Sequence, residues 1–161
     1  MNQYRNNGAI GAILDEYEKA LTELENIITD LSYEELIATV DNKTEDFDCK
    51  SIQTILTHVI RAGYCYIIEI RKSLGEQIDF VERRTLNTVE QYKMELKNMF
   101  NYNELFFKDY PNVNLEENDS EKKILVKWGQ VYDIEQLFEH AIVHILRHRR
   151  QIERFKIQLR E

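Results

Sequence analysis

One proline and five glycines in 161 residues leave little material for tight turns. That scarcity argues against a turn-rich β fold and favours long helices. The two cysteines, Cys49 and Cys65, match no Cys-x-x-Cys pattern and cannot build a disulfide framework, so free thiols are expected. Long apolar runs are missing too. Stretches such as Tyr64 to Ile68 fall far below the ~20 residues that span a bilayer, so no membrane partner is expected. The opening residues, MNQYRNNGAIGAI, are polar and then amphipathic, without the basic segment and apolar core of a secretion signal, which suggests a cytoplasmic protein. Bases are outnumbered: 21 Lys and Arg against 29 Asp and Glu give a net charge of −8. Such a balance argues against nucleic-acid binding, which needs a basic face to displace counterions. A local exception is the crowding of Arg147, Arg149, Arg150, Arg154, Lys156 and Arg160 on the last helix, where cations complement the helix dipole.

What is present is helical patterning. Hydrophobic residues make up 43% and charged residues 31%, and the length suits one domain over residues 1–161. A chain of this size buries ~70% of its unfolded surface and needs no staple. Ile10, Ile13, Leu14, Tyr17, Leu21, Leu24 and Ile28 recur at spacings of three and four and predict a first helix over 9–29. Ser32 and Glu35 have the spacing of a capping box for a short helical turn through Ile37, and 41–50 reads as a polar loop. Ser51 is an N-cap for a second helix reaching about Leu74, with Gly75 as its stop. Thr85 or Thr88 caps a third, whose stripe is Val89, Tyr92, Leu96, Met99, Phe100, Phe106 and Phe107, ended by Tyr110-Pro111. Ile124, Val126 and Trp128 alternate, as in a short strand or a flap. The fourth helix opens near Asp133. Its Ile142, Val143 and Leu146 lie opposite its core stripe and call for a second cover, either that flap or another subunit. Four such helices predict an all-α, antiparallel (up-down-up-down) four-helix bundle, in which the second and fourth helices run parallel.

Three of the four histidines, His140, His144 and His148, sit in the fourth helix. Successive residues at i and i+4 differ by ~40° around a helix axis and ~6 Å along it, so two imidazoles can converge on one metal ion. His144 and His148 fall mid-stripe among core residues. They are therefore either hydrogen-bonded within the core or hold a metal ion in a bundle. His58, in the second helix, is the one histidine outside the fourth, and lies ~120° from the centre of its helix's buried face. Glu-x-x-His and His-Glu-x-x-His patterns are absent, as are Ser-His-Asp and Cys-His sets. Tyr64, Tyr66 and Gln151 are candidate pocket-lining residues, with core packing as their plainer role.

The segments SIQTILTHVIRAGYCY and HAIVHILRHRRQIERF together resemble the DinB (DinB/YfiT-like) family of bacterial four-helix-bundle proteins, over nearly the whole chain. That family's pattern is a His in the second helix and His-x-x-x-His-Arg-x-Gln in the last, which falls here on His58, His144, His148, Arg149 and Gln151. Relatives frequently carry Gly where this chain has Arg150, which the helical wheel turns outward. The resemblance implies His58, His144 and His148 as ligands of one divalent metal ion, a homodimer, and a second-sphere or core place for His140. Imidazole-only ligation suits zinc, nickel, copper or iron; zinc or nickel is expected ahead of iron or manganese. The implied activity is a metal-dependent S-transferase using a low-molecular-weight thiol, or a hydrolase, acting on a small electrophilic substrate. The alternative is a non-catalytic dimeric bundle acting as a binding or stress-response module.

Overall fold

The computed structural model describes residues 4–161, so the first three residues of the polar N-terminal segment lie outside it. The chain is mainly α-helical, with α1 (Gly8–Ile28), α2 (Tyr33–Ile37), α3 (Ile52–Ser73), α4 (Val89–Asp109) and α5 (Ile134–Arg160). The two strands β1 (Ile124–Leu125) and β2 (Val131–Tyr132) form a small antiparallel hairpin between α4 and α5. Among the described residues, no helix is long and apolar enough to cross a membrane.

Local signals decide where helices begin and end. Ser32 caps α2 in a reciprocal box with Glu35, Ser51 caps α3, Thr88 rather than Thr85 caps α4, and Asp133 caps α5. Each cap accepts one of the N–H groups a first helical turn leaves without a partner. Gly75 follows α3 at φ 96°, a conformation that a residue with a Cβ rarely adopts. The apolar stripes face one core: Tyr17, Leu24, Ile28, Ile55, Leu56, Ile67, Tyr92, Leu96, Phe106, Leu137 and Phe138 are buried within it.

Helix direction departs from the alternating expectation. Between α3 and α5 the paired residues run in opposite order, His58 meeting His144 and Tyr66 meeting His140. Between α3 and α4 they run in the same order: Thr57 bonds Tyr92, Gly63 abuts Met99 and Arg71 bonds Asp109. The same reasoning makes α1 opposed to α4, through Arg5 with Glu104 and Thr29 with Lys93. It also makes α1 parallel to α5, through Tyr17 with Phe138 and Glu23 with Arg149. The order is therefore up-down-down-up, and the second and fourth long helices, α3 and α5, are antiparallel.

The connector between α3 and α4 is the physical reason. Its carbonyls at Ile78, Val81 and Leu86 accept hydrogen bonds from Lys72, Arg61 and Gln53 in turn, so residues 76–86 run back along α3. About eleven extended residues reach ~36 Å, enough to return the length of a 22-residue helix at ~33 Å. α4 then starts at the end where α3 started. Their contact is close at Gly63, where an added Cβ would stand 2.4 Å from Met99 Sδ.

Candidate metal centre

α3 and α5 cross with His58, His144 and His148 facing one another. Ligand-capable atoms of the three lie within 4.8 Å of each other. His58 Nε2 is 2.9 Å from His144 Nε2, which is 3.2 Å from His148 Nε2. Three nitrogens around a tetrahedral ion at ~2.05 Å would stand ~3.3 Å apart, so the set is close to the spacing a divalent ion requires. The i, i+4 spacing aligns His144 with His148 on the buried stripe, and each is 5% exposed. His58 comes from the flank of α3, and it is the antiparallel crossing of α3 and α5 that supplies the match in depth.

The outer ring nitrogens have their own partners. His58 Nδ1 is 3.0 Å from Asp48 Oδ2, and His148 Nδ1 is 3.0 Å from Gln151 Oε1. Both oxygens are acceptors, so each Nδ1 carries the proton and the corresponding Nε2 presents a bare lone pair. Only His144 is left to supply an Nε2–H, and one hydrogen cannot satisfy both neighbours. Burial and nearby positive charge keep the set neutral: burial first, then His148 and His58, push His144 far below its ordinary pKa. Burial pushes His148 down to about 4, and it lowers His58 against the pull of Asp48. Neutral imidazoles with converging lone pairs are the form that binds metal ions.

Asp48 went unnoticed in the sequence because it belongs to the polar stretch 41–50. Asp46 caps a short 3₁₀ turn at Phe47–Cys49 through the Asp48 N–H, which aims Asp48 at His58 while Arg83 pairs with its other oxygen. A carboxylate that orients a ligating histidine contributes 10- to 100-fold in metal affinity. Asp48→Asn is accordingly expected to weaken zinc binding by about that factor with the fold unchanged, as competition with a chelating dye would measure. Gln151, three residues after His148 and so on the same helical face, was visible as a candidate. Arg149 instead turns to Glu23 on α1.

A cavity of about 980 Å³ opens beside the three histidines. Tyr66, Trp128 and His140 form an aromatic wall, with Trp128 stacked on His140 at 5.8 Å and Tyr66 edge-on to both. The hairpin thus acts as a flap whose Val126 is buried and whose Trp128 reaches the cavity. His140 is neither a core residue nor one of the converging three; it lines the cavity with Nδ1 3.4 Å from the Tyr132 hydroxyl. Arg150 is exposed, as the wheel predicts, and stands at the border of the same cavity. Tyr64 bonds Glu95 on α4, away from the histidines. Cys49 and Cys65 are free and border the cavity, but burial raises the pKa of both thiols, so neither is primed as a nucleophile.

A scan against protein-family models and a search of curated proteins find no match to this chain.

Proposed function

We propose that this chain is a DinB-like four-helix bundle holding one divalent metal ion through His58, His144 and His148, and that it acts on a small molecule in the adjoining cavity. The carrying observation is the convergence of three Nε2 atoms of which at least two have no proton. When bound, an ion with imidazole ligands and open positions lowers the pKa of water or of a thiol toward neutrality. Asp48 and Gln151 keep the ligand rings in the binding tautomer. The wall of Tyr66, Trp128 and His140 keeps bulk water from one side of the site. Because both cysteines are held as thiols, the nucleophile comes from solution: a low-molecular-weight thiol in an S-transferase, or water in a hydrolase, attacking a small electrophile. Zinc or nickel is the ion we expect, although imidazole ligation suits copper and iron as well.

Metal content by mass spectrometry on untagged protein tests this reading. About one equivalent is expected in the parent and none in a folded His144→Ala/His148→Ala variant. A parent that takes up no zinc, nickel, iron or manganese would make the histidines structural. Metal-dependent turnover of a model electrophile with a panel of thiols would then separate transferase from hydrolase.

A second, partner-binding reading is favoured by α5 itself. The hairpin does not cover Val143 or Leu146, which are 61% and 37% exposed. We infer that a second copy of the chain covers this face in a homodimer. Leu146→Asp is expected to shift the protein to monomer in low-concentration sizing. A folded variant that stays dimeric would move the interface elsewhere.

A further inference from the structure

The cavity is basic in an acidic protein. Arg61 from α3, Lys127 from the hairpin, and Arg147, Arg150 and Arg154 from α5 line it, against one lining carboxylate, Asp46. None of these five forms an ion pair with a carboxylate among the described residues. Their helix neighbours Arg149, Lys156 and Arg160 each do, with Glu23, Asp30 and Glu35. The cationic run on α5 therefore divides by face. Arg147, Arg150 and Arg154, at spacings of three and four, turn to the cavity, while Arg149, Lys156 and Arg160 fasten α5 to α1 and α2. Helix-dipole complementarity does not account for the first set, because Arg147 and Arg150 sit near the middle of a 27-residue helix.

With 29 acids available on the chain, these five cations have no carboxylate partner; Arg61 bonds only the Val81 carbonyl and Lys127 sits over the Phe80 ring, and their mutual repulsion is a cost that a ligand of opposite charge would relieve. A cleft lined by one sign of charge also concentrates such ligands. Beside the cations stands a flat apolar surface, the Trp128 ring 5.7 Å from that of Tyr66. We propose that the cavity takes a small organic dianion with a flat or apolar body, its charges held by Arg147 and Arg150 with Arg61 and Lys127, its body against Trp128. Arginine suits this role because its planar fork pairs with carboxylate, phosphate or sulfonate oxygens two at a time. The proposal rests on reading this cavity as the ligand site of the proposed function, and assigns that ligand's charge and shape.

Trp128 is the chain's single tryptophan, so its fluorescence reports on the cavity directly. The probe is benzene-1,3-disulfonate, with benzene-1,3-dimethanol as the neutral match, titrated near 0.15 M ionic strength into metal-free parent and into His144→Ala/His148→Ala. We expect a saturable change with the dianion and none with the diol, in both proteins. Arg147→Gln/Arg150→Gln should weaken binding at least tenfold, whereas the charge-matched Lys43→Gln/Lys97→Gln should bind like the parent. Benzene-1,3-dicarboxylate and phenyl phosphate are added as arms, and tighter binding of either than of the diol supports the proposal and ranks carboxylate against phosphate. Absence of saturable binding, equal response to diol and dianion, or full affinity in Arg147→Gln/Arg150→Gln would overturn it. Zinc uptake measured on the same parent samples reads the metal centre separately. Dianion binding without zinc uptake would sink the metal reading and sustain this one.

Discussion

Zinc added to the metal-free protein is expected to raise its free energy of unfolding by about 4 kcal/mol once the free ion exceeds its dissociation constant a thousandfold. His58 and His144 are 86 residues apart in the chain, so the unfolded protein has no preformed site and the binding energy becomes folding energy. The measurement is urea unfolding in buffered zinc against chelator, read as a shift in midpoint at constant slope. His58→Ala should lose most of the shift, because His144 and His148 alone hold an ion only from neighbouring turns of one helix. An equal zinc shift in His144→Ala/His148→Ala would locate the ion elsewhere on the protein.

The metal-free protein is expected to lose roughly 4 kcal/mol of stability between pH 7 and pH 5, from His144 and His148 together. Both are buried, and both are held neutral below their ordinary pKa, His148 down to about 4. In the unfolded chain each takes up a proton near pH 6.5. Below that pH the unfolded state binds more protons than the folded one, so stability falls with acidity, and the loss continues until the folded-state pKa is reached. Urea midpoints in chelator at pH 7 and pH 5 give the difference. His144→Leu removes one of the two titrating rings and should roughly halve it. A parent whose midpoint is unchanged at pH 5 would mean that these rings titrate normally and that the site is wetter than its burial indicates.

The two results bear on each other. The neutral, converging rings that make the folded apo protein acid-sensitive are the same ones that offer a cation its ligands. A site of this kind trades stability for binding, as residues kept for function commonly do.

Much of this arrangement was legible from neighbouring residues. Ile10, Ile13, Leu14, Tyr17, Leu21, Leu24 and Ile28 form one stripe in the sequence, and all but the half-buried Ile10 are buried. The caps at Ser32 and Ser51 lie where side-chain chemistry predicts them, and α5 opens at Asp133 as its pattern predicts. The same local periodicity put His144 and His148 on the core face of α5 before any fold was known. The convergence of His58 on them came only as an expectation from family resemblance. Its true basis, the antiparallel crossing of α3 and α5, is opposite to the parallel arrangement first expected.

The sequence by itself thus determined which residues form helices, where those helices start, which faces they bury, and which two histidines lie side by side. Those properties depend on residues within a few turns of each other. The tertiary structure alone decided the direction of α3 relative to α5, the pairing of Asp48 with His58, the turn of Trp128 into the cavity, and the place of Arg150 at the cavity border. Each of these depends on a path the chain takes between elements. The extended return along α3 is held by hydrogen bonds to three carbonyls, and carbonyls carry no mark in the sequence.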